Sequence, residues 1–367
     1  MKLSVDKSNI VLALQKVIGV VERRQTLPVL SNVLLRAEKD KVSLTATDLE
    51  VELVATVQMN VETTGEVTIP ARKFFDICKN IPDGSSIELE LKGDRIHMRA
   101  GRSRFSLATL PVTEFPIVDD IKSQSEITLS RRDLHELLER TWFCMAQQDV
   151  RYYLNGIMME LGAGRLRVVA TDGHRLALYD HALGKQSSLK QCQVILPRKG
   201  VQELMRLLDD SDEPVTLNIG TNHVRISLDG IELTSKLIDG RFPEYERVLP
   251  KSSDKKMTAN REEYRSSLTR ASILSNEKFK GVRLILNGNN LKVQAHNPEQ
   301  EEAEDEIDVQ FTGDALEIGF NASYLLDALN AIRTDTVVMS LSDPNSSCLI
   351  LEPGNDKVLY VVMPMRL

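Results

Sequence analysis

Asp172 and His174, in the segment ATDGHRLA (170–177), are the pair whose types and spacing most invite a chemical reading. An aspartate that fixes an imidazole supports a general base, and near a metal or nucleophile it would serve a hydrolase or nuclease. No nucleophile stands at a defined spacing from them, and the positions matching His174 in two internal repeats are Glu50 and Glu299. Repeats that do not keep the imidazole argue against catalysis. Neither GxxxxGK[ST] nor GxGxxG occurs, so no nucleotide site is indicated. Cys78, Cys144, Cys192 and Cys348 form no CxxC pair and read as buried free thiols. Neither a cofactor nor a metal is expected.

The elements that must carry these residues recur. The stretch VILPRKGVQELMRLL (194–208) reads as a short apolar strand stopped at Pro197, followed by an amphipathic helix whose first turn suits the proline. Val201, Leu204, Leu207 and Leu208 share one face of it, and Arg198, Lys199 and Arg206 lie off that face. The same pattern starts near residues 3, 67, 127, 194, 257 and 317, with break residues Asp6, Pro70, Ser130, Pro197, Asn260 and Asn321 spaced by 64, 60, 67, 63 and 61. A longer period overlies it. Asp48, Asp172 and Asn297 hold equivalent hinges between strands, 124 and 125 residues apart, and Phe115-Pro116 and Phe242-Pro243 close two copies 127 apart.

Three tandem copies of one domain follow, at 1–122, 123–245 and 246–367. Each holds two strand-helix units and antiparallel hairpins marked by alternating residues and Gly, Asn and Asp turns, an α+β arrangement with helices on one side of the sheets. A chain of 367 residues with 42% hydrophobic and 27% charged content has room for such cores. No apolar run approaches the ~18 residues of a membrane span, and MKLSVDKSN lacks a signal-peptide core, so the expected location is cytoplasmic without membrane contact.

A net charge of −7 speaks at first against nucleic acid. The six helical windows (6–18, 70–80, 130–142, 197–208, 260–272 and 321–333) nevertheless carry +1, +2, 0, +2, +1 and 0, which is +6 together and leaves −13 for the rest. Helices collect Lys and Arg for propensity alone. Here repetition favours a shared purpose, because homologous helices occupy equivalent places and would present one basic lining. With only 5% aromatic residues, such a lining suits duplex phosphates contacted without sequence readout. Helices packed about 8–10 Å apart span only part of a circle around a duplex, which a symmetric dimer could close.

At this point the residues resemble a family. TLPVLSNVLL (26–35), TATDLEVEL (45–53), PARKFFDIC (70–78), GRSRFSLATLP (101–111), QDVRYYLNG (148–156), ATDGHRLA, PRKGVQELMR (197–206), DGRFPEYERVLP (239–250), ILSNEKFKGVRL (273–284), NPEQEEAE (297–304) and YVVMPMRL (360–367) are similar to the bacterial DNA polymerase III beta subunit, the sliding clamp, in order along the whole chain. The resemblance implies a head-to-tail homodimeric ring of six domains that encircles duplex DNA and tethers the replicative polymerase. It implies no catalytic activity, the chain being a non-catalytic subunit of the DNA polymerase III holoenzyme.

It also implies roles for residues. Arg24, Arg72, Gln148, Tyr152 and Tyr153 match positions that touch duplex or primed template, and Arg198 and Lys199 stand at a helix start suited to phosphate. A cleft between the second and third domains would take short peptides from the DNA polymerase III alpha subunit, the clamp-loader delta subunit, other polymerases and repair proteins. Its matching residues are Leu154, Thr171, Gly173, His174, Arg175, Leu176, Pro243, Arg247, Val248, Phe279, Asn321, Tyr324, Ser347, Val361, Met363, Pro364, Met365 and Arg366. Pro344-Asn345 departs from the family's usual apolar side chain at the rim. Arg102, Arg104, Phe105 and Leu107 would face Ile273 and Leu274 across the dimer seam, with Glu301 and Glu304 pairing to Arg102 and Arg104. The competing readings are a hydrolase or nuclease around Asp172 and His174, and a scaffold without a DNA partner.

Overall fold

The computed structural model describes residues 1–21, 27–118, 121–184, 191–250 and 253–366. Among them are six α-helices: α1 Lys7–Val17, α2 Ala71–Asn80, α3 Arg131–Glu139, α4 Arg198–Leu207, α5 Arg261–Ser272 and α6 Ala322–Ala331. Every one begins directly after its break residue. Asn260 and Asn321 show why a short polar side chain starts a helix. The Oδ1 of Asn260 accepts the N–H groups of Glu262 and Glu263 at 3.0 Å, and that of Asn321 accepts Ser323 at 2.9 Å and Tyr324 at 3.3 Å. Ser130 Oγ accepts the Asp133 N–H at 3.0 Å and donates to its carboxylate at 2.7 Å.

Proline acts differently from the sequence expectation. Pro197 closes the strand Cys192–Pro197, paired with Gly156, and α4 starts one residue later. Its fixed φ and missing N–H suit a strand end that stops pairing where the helix takes over. On α4 the expected face is buried, with Val201, Leu204, Leu207 and Leu208 each under a tenth exposed.

The described residues form two compact units, Met1–His135 with Lys199–Leu237, and Glu136–Arg198 with Ile238–Leu367. In the first, eight antiparallel strands run in the order Gly65–Pro70, Asn32–Ala37, Lys41–Thr47, Val51–Gln58, Ile231–Lys236, His223–Leu228, Pro214–Ile219, Ser125–Ser130. The join is between Val51–Gln58 and Ile231–Lys236, in a register that sets Leu53 against Leu233. A separate four-stranded sheet runs Lys2–Asp6, Ser86–Lys92, Arg95–Ala100, Ser103–Ala108.

The second unit repeats the plan. Nine strands run Cys192–Pro197, Gly156–Gly162, Arg165–Thr171, Arg175–Ala182, Asn355–Val362, Cys348–Glu352, Thr336–Leu341, Lys255–Asn260, Gln310–Thr312, joined where Leu176 meets Val361. Its four-stranded sheet runs Glu302–Asp308, Asn290–His296, Gly281–Asn287, Leu316–Asn321. Each large sheet therefore crosses a repeat boundary read from the sequence. An edge strand left with unpaired N–H and C=O groups finds its partner in the neighbouring repeat.

The cores are apolar and dense with helix residues, including Leu14, Val17 and Phe74 in the first unit and Tyr264, Leu268, Leu325 and Leu329 in the second. Cys78, Cys144 and Cys348 are buried free thiols. Burial pushes Cys78 and Cys348 up to about 12, so the inert thiol and not a thiolate is present at neutral pH. Cys192 is half-buried.

Candidate partner-binding site

The chain enters the site through the turn Thr171–Arg175. Asp172 Oδ1 accepts the N–H groups of His174 and Arg175 at 2.9 and 3.0 Å, and its second oxygen meets Arg175 Nε at 3.1 Å. Gly173 adopts φ 89°, which glycine takes without a Cβ penalty. A Cβ there would come within 2.8 Å of Arg151 Nη1, so the tip of that flexible side chain would have to shift. Asp172 thus spends its carboxylate on the turn and on a guanidinium. The His174 ring stacks instead on Tyr324, centroids 6.4 Å apart at 19°. The arrangement needed for a supported general base is absent from this pair, and the hydrolase reading loses its motif.

Arg175 is the hub. Its guanidinium pairs with Asp172 and Asp327, donates to the Phe143 carbonyl at 2.8 Å, and lies 4.5 Å from the Tyr324 ring centroid and 5.6 Å from that of Phe143. The guanidinium thereby ties the turn Thr171–Arg175 to the Phe143 backbone and to Asp327 of α6.

Beside it opens a cavity of about 160 Å³ lined by Arg151, Tyr153, Leu154, Thr171, Gly173, Arg175, Leu176, Pro243, Glu244, Tyr245, Val248, Val361 and Met363. Its floor is a buried apolar cluster that includes Leu154, Met158, Leu176, Leu178, Phe242, Tyr245 and Val361. The wall is fixed by polar anchors. Tyr245 donates to Glu160 at 2.9 Å and accepts from Arg167 at 3.1 Å, and Arg167 pairs with Asp180 at 2.7 Å. Arg151 is held by Asp149, whose carboxyl that guanidinium and the Arg151 N–H draw down to about 2, and donates to the Asp172 carbonyl at 3.0 Å. A mainly apolar hollow with a few fixed charges at its edge suits an extended peptide inserting a large side chain.

Of the residues expected in the cleft, Leu154, Thr171, Gly173, Arg175, Leu176, Pro243, Val248, Val361 and Met363 meet around this hollow. The others lie outside its lining. Arg247 pairs with Glu244. Asn321 caps α6 and donates to the carbonyl of Phe279, whose ring is 55% exposed. Met363 N–H donates to the His174 carbonyl at 2.9 Å and Met365 N–H to that of Gly319 at 2.9 Å, which ties down the segment carrying Pro364 and Arg366. Ser347 belongs to the loop carrying Pro344-Asn345, where Asp343 accepts the Asn345 N–H at 2.8 Å. Sequence reasoning missed Arg151, Glu244 and Tyr245. The acid-base neighbours Asp149 and Arg151, and the Phe242/Tyr245 spacing, were the available signals.

The residues expected at nucleic acid are placed unevenly. Arg24 lies outside the described residues. Arg72 is exposed and donates Nη2 to the Val21 carbonyl at 2.8 Å. Gln148 stands at φ 55°, and Tyr152 is 56% exposed, edge-on to Tyr153 at 5.7 Å. Tyr153 is half-buried. It packs against the apolar cluster and lines the cavity, because its neighbour Leu154 is the buried anchor of this short turn.

Arg198 lies 5.6 Å over the Trp142 ring and donates to the Met145 carbonyl at 3.2 Å; burial lowers its pKa, though not enough to discharge a guanidinium. Lys199 is in an ion pair with Asp48. Several helix cations are likewise met by acids close by, as Arg132 by Asp210 and Asp212, Arg270 by Asp305 and Lys7 by Asp83. The positive sum over the helices therefore overstates the bare charge they present.

At the expected seam, Ser103–Ala108 and Glu302–Asp308 are outer strands of their four-stranded sheets, and neither contains a fully buried residue. Arg102 and Arg104 are exposed, Phe105, Leu107 and Leu274 half-buried, and Ile273 is 75% exposed. Within one chain the two glutamates have acceptor roles of their own. Glu304 accepts from Lys292 at 2.7 Å and Gln294 at 2.6 Å, and Glu301 from Asn297 at 2.6 Å. Gln294 faces Glu304 directly across the hairpin, so the nearest donors are internal.

Comparison with known proteins agrees with this fold. The family model of the DNA polymerase III beta subunit matches in all three parts, the N-terminal domain at residues 1–119, the central domain at 128–244 and the C-terminal domain at 246–366. Beta sliding clamps of Vibrio cholerae and Escherichia coli are each 50% identical over 368 residues, and that of Pseudomonas aeruginosa is 51% identical over 369, with both chains covered completely. The crystal structure of DNA polymerase III subunit beta from Pseudomonas aeruginosa superposes with a TM-score of 0.98 at 50% identity, both chains fully covered. The griselimycin-bound clamp from Bartonella birtlesii reaches 0.95 at 39%, again over the full length of both. A three-repeat α+β fold matched over its whole length defines a clamp subunit of the replication machinery. The chain belongs to the DNA polymerase III beta subunit family.

Proposed function

We propose that this chain is a DNA sliding clamp, a non-catalytic processivity factor of replication that surrounds duplex DNA without reading its sequence and tethers the replicative polymerase. The single observation that carries the reading is the family match along the chain, which covers all three repeats in order.

Two copies associate head to tail. The outer strand Ser103–Ala108 of one copy aligns with Glu302–Asp308 of the other, and Phe105 and Leu107 meet Ile273 and Leu274. Support comes from the two uncovered outer strands and the exposed Ile273. Pairing them buries edges that otherwise promote aggregation.

The cavity beside Arg175 receives short peptides of the polymerase alpha subunit, the clamp-loader delta subunit and other polymerases and repair proteins. Met363 at its rim repacks cheaply around different side chains. Arg24, Arg72, Arg198 and Lys199 contact duplex phosphates, with Gln148 and Tyr152 at primed template; Lys199 exchanges Asp48 for phosphate when DNA is present. The three tandem domains are those at 1–122, 123–245 and 246–367, and the protein works in the cytoplasm. Among the described residues no helix is long and apolar enough to cross a membrane.

The test is retention on a closed circular plasmid after loading. A topological link predicts stable retention that is lost when the plasmid is linearised, with little dependence on salt once closed. Equal loss from both forms rejects the ring, leaving ordinary salt-dependent binding.

A further inference from the structure

Two joints between neighbouring repeats lie inside the chain, one in each unit, and each carries an arginine from beside a second helix to the end of a first helix. In the first unit Arg206 of α4 donates to the Gln15 carbonyl at 2.8 Å and the Lys16 carbonyl at 2.6 Å, while Glu203 steadies its guanidinium at 2.7 Å. Those carbonyls belong to the last turn of α1, where C=O groups lack a partner further along the helix and the dipole is negative. In the second unit Arg333, just beyond α6, meets Glu136 at 3.1 Å and Glu139 at 2.8 Å on α3. The receiving helix explains the difference. α3 offers carboxylates six and nine residues after its break residue Ser130, whereas α1 has Leu12 and Gln15 at six and nine after Asp6, so only backbone oxygens remain for the cation.

A third joint of this kind is left open at the outer strands. Val51–Gln58 joins Ile231–Lys236 in the first unit, and Arg175–Ala182 joins Asn355–Val362 in the second. The strands at the same places in the two four-stranded sheets are Glu302–Asp308 and Ser103–Ala108, each at an outer edge. The helices of those two repeats that correspond to α1 and α4 are α5 and α2. On α2, Lys79 stands nine residues after Pro70 as Arg206 stands nine after Pro197, and Asp76 precedes it by three as Glu203 precedes Arg206. On α5, the places of Leu12 and Gln15 fall to Ser266 and Thr269, again without a carboxylate. Thr269 and Arg270 hold the places of Gln15 and Lys16, and both are exposed, as is Lys79. The Arg270 guanidinium is engaged by Asp305 at 2.9 Å, and its carbonyl accepts the Ile273 N–H over a long 3.3 Å, with a second lone pair to offer.

We propose that Lys79 is a positioning residue of the seam between two copies, its ammonium capping the C-terminus of α5 in the second copy at the carbonyls of Thr269 and Arg270. This rests on the head-to-tail association proposed above and adds a polar contact between helices to the strand pairing and apolar contact named there. The seam is then the third instance of a joint that the chain already makes twice within itself. Ile273 stands thirteen residues after Asn260 as Gly19 stands thirteen after Asp6, and a Cβ on Gly19 would fall 2.6 Å from Arg206 Nη2. The same position in the seam sets Ile273 along the apolar stem of Lys79, with the charged tip left for the helix end.

The test measures the dimer dissociation constant of the full-length protein by dilution and subunit exchange of fluorescently labelled copies. A cation at a helix end contributes about threefold in affinity, and a head-to-tail ring has two seams, so Lys79→Ala should raise the constant roughly tenfold. Lys79→Glu should raise it further, because a carboxylate meets the negative end of the dipole, whereas Lys79→Arg should stay within about twofold of the parent. Lys41→Ala, which removes one exposed cation from a hairpin of the same repeat, should leave it unchanged. Far-UV circular dichroism should be the same for all, since Lys79 is exposed. The proposal is overturned if Lys79→Ala associates as the parent does, if Lys41→Ala weakens association equally, or if Lys79→Arg behaves like Lys79→Ala. A parent that stays monomeric overturns the head-to-tail reading itself and this contact with it, whereas a dimer indifferent to Lys79 overturns the contact alone.

Discussion

Arg140 and Glu352 meet in a two-pronged ion pair, Nη2 to Oε1 at 2.8 Å and Nη1 to Oε2 at 3.2 Å, with both side chains 3% exposed. The carboxylate also accepts the Arg333 N–H and the Asn355 amide, both at 2.6 Å. Burial alone would raise the Glu352 carboxyl, but these donors, Arg140 first, hold it below the ordinary carboxylate value. Removing one partner leaves the other charge buried and unpaired, so Glu352→Gln should lower stability by about 3 kcal/mol at pH 7.

The pH dependence has a definite sign. A carboxyl that releases its proton more readily when folded contributes its full stability above the unfolded value of about 4.3, and loses it as pH falls through the lower folded value. Urea unfolding of the parent and Glu352→Gln should therefore give curves that differ most near neutrality and converge in acid. A constant gap down to strong acid would contradict this account of the pair.

Ile273→Ala combined with Leu274→Ala should convert the proposed dimer to monomers while leaving each chain folded, because Ile273 is mostly exposed within one chain and would be covered at the proposed seam. Sedimentation velocity together with circular dichroism checks it. A dimer that persists at low concentration refutes the proposed seam.

Ending the chain at Val362 removes Met363 and the segment anchored by Met365 to Gly319. Affinity for a fluorescent polymerase-derived peptide should fall at least tenfold, which is ~1.4 kcal/mol. The oligomeric state should not change. Unaltered peptide binding would move the docking site elsewhere.

The adjacent tyrosines should part company. Tyr152→Ala removes an exposed ring and should weaken binding to primed template, with stability and peptide affinity intact. Tyr153→Ala removes a cavity wall and should weaken peptide binding and cost about 2 kcal/mol of stability. Paired peptide and primed-template titrations separate the two; identical effects would cancel the distinction.

Much of this was legible in residue order alone. Three of the six helix starts follow from caps that act within three residues, at Ser130, Asn260 and Asn321, and the buried face of α4 follows from a period of 3.6. The hinge aspartates announced the repeat because the Asp48 and Asp172 turns are closed by side chain to backbone bonds within three residues. Local signals of this kind need no knowledge of distant neighbours.

Only the tertiary structure decided what depends on strand register and on partners far along the chain. The large sheets cross the repeat boundaries at Leu53 with Leu233 and Leu176 with Val361, pairings no local pattern specifies. The same distance hides the ion pair of Lys199 with Asp48, the bonds that keep Glu304 inside its hairpin, and the placement of Tyr153 at the cavity while Tyr152 stays exposed. Periodicity tells which face of an element is buried, whereas the fold alone brings a buried or charged group to its partner.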